Sequence, residues 1–212
     1  MFRFLVISIF VLFSVNVFGQ AVKLNYSEQI GTDTPTKLSI ALDQKFYLRI
    51  VANSDFSSKK EISLTHYKCH NGVITKTDLS DFPVNLSVGL SNKDSLVVEV
   101  MMQQVNDSVS LAFAFDGKVR DLAIPRNYVI PSKDGEKPRY ILMETILDSA
   151  VTIEDEIPIF AVTSGIIKSL QFGETKIYGQ DLCGLRDKHI HPDVWHTVEG
   201  VQDYTFYTIM FM

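Results

Sequence analysis

Cysteine is scarce, tryptophan scarcer, and positive charge is outweighed. The chain carries 2 Cys, 1 Trp, and 20 Lys and Arg against 25 Asp and Glu, a formal net charge of -5. Neutralising nucleic-acid phosphates takes a basic footprint, and this balance excludes one. The same deficit argues against docking on an anionic membrane surface. A Gly-rich phosphate loop, the G-x-S-x-G nucleophile elbow and H-E-x-x-H are all missing. Serine is plentiful, but none stands in a context that marks an activated nucleophile. The acidic run Glu154-Asp155-Glu156 before Pro158 reads as a solvated turn rather than as paired catalytic carboxylates. There is no internal repeat and no low-complexity tract.

The one strongly apolar run is the first, "MFRFLVISIFVLFSVNVFGQ", with a single early arginine, Arg3, and small residues at Val17 and Gly19. It is shorter than a membrane span needs and has the flanks of a cleaved signal peptide. The expectation is a signal over residues 1–19, a mature start at Gln20, and a chain that is secreted or periplasmic with no stable membrane span. No cysteine stands at the cleavage point, so no lipid anchor is indicated. The remainder, roughly 190 residues, is long enough for one large or two small domains. Its 46% hydrophobic and 21% charged residues are those of an ordinary folded protein.

Helical periodicity is hard to find, and period-2 alternation dominates. "KLSIAL" and "KFYLRIVA" alternate on either side of Asp43-Gln44. "EISLTHYKCH" meets Asn71-Gly72 and returns as "VITKT", a strong hairpin signal. "DSVSLAFAF" puts Val109, Leu111, Phe113 and Phe115 on one face, then turns at Asp116-Gly117 into "KVRDLAI". "SLVVEVMMQ" reads as a strand covered on both faces. Residues 125–138 hold three prolines and a charge cluster and read as a loop or linker. It separates a β-sandwich region at 20–124 from a β-rich region at 139–212. In the latter, "RYILMETIL", "PIFAVTS", "GIIKSLQF" and "DYTFYTIMFM" read as strands. The last is apolar on both faces and should be central. The fold expected is all-β, an antiparallel β-sandwich of one large domain or two small tied ones, with few short helical turns.

The concentrated chemistry lies in "CGLRDKHIHPDVWH", which holds three of the five histidines, His189, His191 and His196, and one cysteine. In a strand, residues two apart share a face at about 6.6 Å spacing. His189 and His191 could therefore chelate one ion. Pro192 biases His191 toward extended backbone and opens a helical turn ending at Gly200, which would return His196 toward the pair. Three histidines suit zinc or copper. The other group fares worse: on its hairpin strand His66 and His70 share a face about 13 Å apart while Cys69 points the other way. Two cysteines in an exported chain favour a disulfide, Cys69 to Cys183. Closing so long a loop stabilises by about 4–5 kcal/mol in the chain-entropy picture.

Asn25, Asn85 and Asn106 each begin an N-linked glycan acceptor triplet. Three functions follow from this reading. The first is an exported binding or interaction module, not an enzyme, that takes an extracellular or cell-surface protein or glycan. The second is a zinc or copper protein, with or without enzymatic activity, centred on the three histidines. The third is a small outer-membrane β-barrel, suggested by the large-and-small alternation of "VSLAFAF" and an aromatic last strand.

Overall fold

The computed structural model of the chain describes residues 20–27, 45–59, 61–79, 90, 94–105, 108–115, 118–120 and 140–212. The expected signal at 1–19, the strand at 37–42 and the loop at 125–138 lie outside them.

Alternating, β-branched and aromatic stretches become strands where one side chain in two can be buried. In chain order these are β1 (Ala21–Ser27), β2 (Lys45–Asn53), β3 (Ile62–His70), β4 (Val73–Asp78), β5 (Ser95–Val105), β6 (Ser108–Phe115) and β7 (Lys118–Arg120). After them come β8 (Ile141–Glu144), β9 (Val151–Thr152), β10 (Ile157–Thr163), β11 (Ile166–Phe172), β12 (Thr175–Asp181) and β13 (Asp203–Phe211). Six form one sheet in the order β7-β6-β5-β2-β1-β9, five form a second in the order β4-β3-β13-β10-β8, and β11 and β12 make a separate ribbon. All pairings are antiparallel.

The two large sheets pack face to face as an all-β sandwich. Phe113 of β6 bridges them, its ring 5.5 Å from Phe160 of β10 and 5.4 Å from Tyr207 of β13. Around it lie Leu48, Ile50, Leu96, Val98 and Val100 from the first sheet and Leu64, Ile159 and Ile209 from the second. The expected alternation of β6 is borne out: Val109, Leu111, Phe113 and Phe115 are buried, while Ser110 and Ala112 are exposed. In β5 Leu96, Val98, Val100 and Met102 are buried and Val97, Glu99 and Met101 are half-buried, so only one face is closed. Strand β13 is central, as its two apolar faces require, and β10 beside it is buried along its whole length.

Strands β3 and β4, which precede residues 125–138, pair into a sheet with β13, β10 and β8, and β9 extends the other sheet beside β1. Neither the region at 20–124 nor that at 139–212 holds either large sheet complete; strands of both are interleaved in the two packed sheets. The described strands other than the β11–β12 ribbon form two packed sheets. Among the described residues both sheets end in edge strands, and aromatic rings fill the space between them. No helix among the described residues is long and apolar enough to cross a membrane.

The Asn71-Gly72 hairpin forms as expected, with His70 opposite Val73. Asn71 at φ 49 and Gly72 at φ 81 give the two left-handed residues of a type I′ turn. A second constraint falls on Gly72: a Cβ there would stand 2.5 Å from the His196 ring. Gly72→Ala should therefore cost about 2–3 kcal/mol, combining left-handed strain with a steric clash. Urea unfolding measures it; a loss under about 0.5 kcal/mol, the scale of an ordinary surface change, would contradict this account.

Candidate functional site

The histidine-rich segment is a lid over the outer face of the second sheet. It contains α1 (Cys183–Arg186), a 3-10 turn at Pro192–Val194 and α2 (Trp195–Glu199). Pro192 opens the turn and Gly200, at φ 70, ends α2 in the left-handed region, both as the sequence suggests. Trp195 anchors the lid at 2% exposure, its ring 5.3 Å from Tyr204 and its indole N–H donating to Ile190 O at 3.2 Å. Beneath it Cys69, Met143, Ala161, Leu185, Val201, Tyr204 and Phe206 form a second apolar cluster, separate from the core between the sheets.

That role separates the three candidate ligands. His189 adopts φ 50, which breaks the strand geometry a two-residue chelate requires, and its Nδ1 lies 2.8 Å from an oxygen of Asp148. The His191 Nδ1 lies 2.7 Å from the Asp193 carboxylate, and its ring meets Phe206 edge-on. His196 donates from Nδ1 to Val201 O at 3.0 Å and lays its ring over Gly72. Each histidine is held by a different partner. Among the described residues no three His, Cys, Asp or Glu side chains gather where they could hold a metal ion. The geometry does not bring the expected zinc or copper set of His189, His191 and His196 together.

The expected Cys69–Cys183 disulfide is not seen, and both thiols are free. Cys69 is sealed in the apolar cluster under the lid, whereas Cys183 sits on the exposed side of α1 with the Arg186 guanidinium 3.9 Å from its sulfur. As expected, Cys69 faces away from His66. His66 is buried toward the other sheet, stacked at 4.8 Å on Tyr207. The single Thr205 hydroxyl proton goes to Tyr67 O at 2.7 Å, so the Thr205 oxygen accepts from His66 Nε2–H. His70 stays at the surface against Asp203. Of the glycan-acceptor asparagines, Asn25 is exposed on β1; Asn85 and Asn106 lie outside the described residues.

One well-connected polar group was passed over by the sequence reading. Glu156, taken as part of a solvated turn, accepts from Tyr67 Oη at 2.8 Å and Thr208 Oγ1 at 2.6 Å, and pairs with Lys76 Nζ at 3.1 Å. Asp155 does cap a turn, accepting from Thr152 N at 2.6 Å and Thr152 Oγ1 at 2.8 Å. The Tyr67 ring lies on Phe206 at 4.7 Å, nearly parallel, with the Lys76 ammonium 5.2 Å from its centre on β4. Partial burial pushes the Glu156 carboxyl up, but the hydrogen bonds from Thr208, Tyr67 and Lys76 outweigh it and hold the group below its ordinary value of 4.5. No local pattern announces this hub, because its members come from β3, β4, β13 and the turn before β10.

The outer face of the first sheet has a different character. Asn25 is exposed there, Tyr47, Arg49 and Glu99 are half-buried, and Tyr47 donates to Glu99. Desolvation and the Glu99 carboxylate push the Tyr47 phenol up to about 12. No known family model matches the chain, and neither a curated protein nor a solved structure shows a significant match to it. Fold and side-chain placement thus define a class only: an antiparallel β-sandwich with a short helical lid on one sheet.

A carboxylate with a lowered pKa stabilises the fold above its unfolded value, and that contribution fades as pH falls through the folded value. Glu156→Gln should therefore cost about 1–2 kcal/mol at neutral pH. The gap to wild type should close as the medium is acidified below the ordinary carboxyl range. Urea midpoints across that range test the hub; a gap independent of pH would show that the charge contributes nothing.

Proposed function

We propose that the chain is an exported β-sandwich, periplasmic or extracellular, that works as a non-enzymatic binding module for a cell-surface or extracellular protein or glycan. The docking surface in this reading is the outer face of the first sheet. The observation that carries it is the asymmetry between the two sheets. The second sheet has its outer face closed by the Trp195 lid, while the first presents Asn25, Tyr47, Arg49, Glu99, Ser110 and Ala112 with no lid among the described residues. An aromatic ring flanked by a cation, a carboxylate and an amide, with small Ser110 and Ala112 alongside, offers hydrogen bonds and a shallow apolar floor. Sugars and extended peptides are recognised by that combination.

Screening the protein against arrays of glycans and of peptides, with Arg49→Ala alongside, tests the surface. A ligand class bound by wild type and lost at least tenfold in the variant supports it. Binding unchanged by Arg49→Ala, or no bound class at all, rejects it. Export is tested separately by mass spectrometry of the protein secreted by its host. The expected mass lacks residues 1–19, and recovery of the Met1 form from the exported fraction would refute the signal.

A further inference from the structure

The edge of the second sheet is exposed along nearly all of β4, with Val73 69% and Ile74 37% exposed. Edge strands are normally guarded by an outward lysine. Lys76 is the one candidate here, and it leans across the sheet face onto Tyr67 and Glu156. The directions of the backbone groups follow from the ladder. Asn71 N donates to Gln202 O on the β13 side, and Leu79 N donates to Leu64 O of β3. Odd-numbered residues of β4 therefore point their N–H and C=O toward β3, and Ile74, Lys76 and Asp78 point theirs outward.

We propose that β4 pairs with β4 of a second copy of this chain, antiparallel across a two-fold axis, joining two five-stranded sheets into one. The sequence of the strand selects the register. Outward-pointing residues must face each other; setting Lys76 against Asp78 overlaps only the last three residues of β4 and Asp78 against Asp78 only one, which leaves three further alignments. One sets Lys76 against Lys76 of the other copy and is disfavoured by like charge. A second sets Ile74 against Ile74 and overlaps only a short stretch. The third sets Ile74 against Lys76, Val73 against Thr77, and Thr75 against Thr75 at the axis. It uses the strand from Val73 to Thr77, juxtaposes no like charges, and lays each Ile74 along a lysine stem. "VITKT" is thus complementary to itself when reversed.

Sedimentation of the exported chain up to high micromolar concentration should show a mass doubling. Thr75→Lys and Thr75→Glu, each placing like charges at the axis, should be monomers with wild-type melting, and an equal mixture of the two should recover the doubled mass. Ile74→Pro removes an outward N–H without touching the β3 ladder and should also give a folded monomer. A wild type that stays monomeric throughout overturns the proposal and leaves the edge to an extended peptide of another protein. A dimer that survives in all three variants, or a mixture that fails to associate, overturns it equally.

Discussion

Strand β13 is apolar on both faces, and a strand of that kind is stable only if each face meets another layer. Tyr207, Ile209 and Phe211 face the first sheet, while Tyr204 and Phe206 face the other way, all at 3% exposure or less. Burying such side chains stabilises by roughly 1.5–3 kcal/mol each, so leaving either face in water is not affordable for a domain of this size. One face is answered by the sandwich. The other requires the lid, which explains why a segment with no strand character closes over Tyr204 with Trp195 at its centre.

That demand also accounts for what the histidines do. A lid only a few turns long has too few main-chain hydrogen bonds to fix its own shape. It is fixed instead by side chains: His189 with Asp148, His191 with Asp193, and His196 with Val201 and over the Gly72 turn. Those contacts point in different directions because the lid must be held at several places. A metal site would need the opposite, convergence on a point.

On the surface the same economy leaves two unequal exteriors. The Glu156 hub draws Lys76 inward over Tyr67, which tightens the β4 side of the second sheet and strips its edge of a guard. The first sheet keeps a mixed polar and aromatic outer face. The proposed docking by the open face and the proposed self-pairing by the β4 edge use opposite sheets, so neither would obstruct the other.

Local chemistry made much of this legible in the sequence. Alternation identified β6 face by face, Asn71-Gly72 fixed a type I′ hairpin, Pro192 and Gly200 bracketed the helical turns, and the two apolar faces of β13 required a central place. Each is a matter of period or backbone conformation within a few residues. Partnership between distant residues was not legible. The interleaving of both halves in each sheet, the four-element Glu156 hub, the unjoined Cys69 and Cys183, and the scattering of His189, His191 and His196 all depend on which strand lies beside which. Spacing along the chain cannot carry that information, because strand order is set by the competition to cover every apolar face at once. In this protein that competition turned its most reactive-looking segment into a lid.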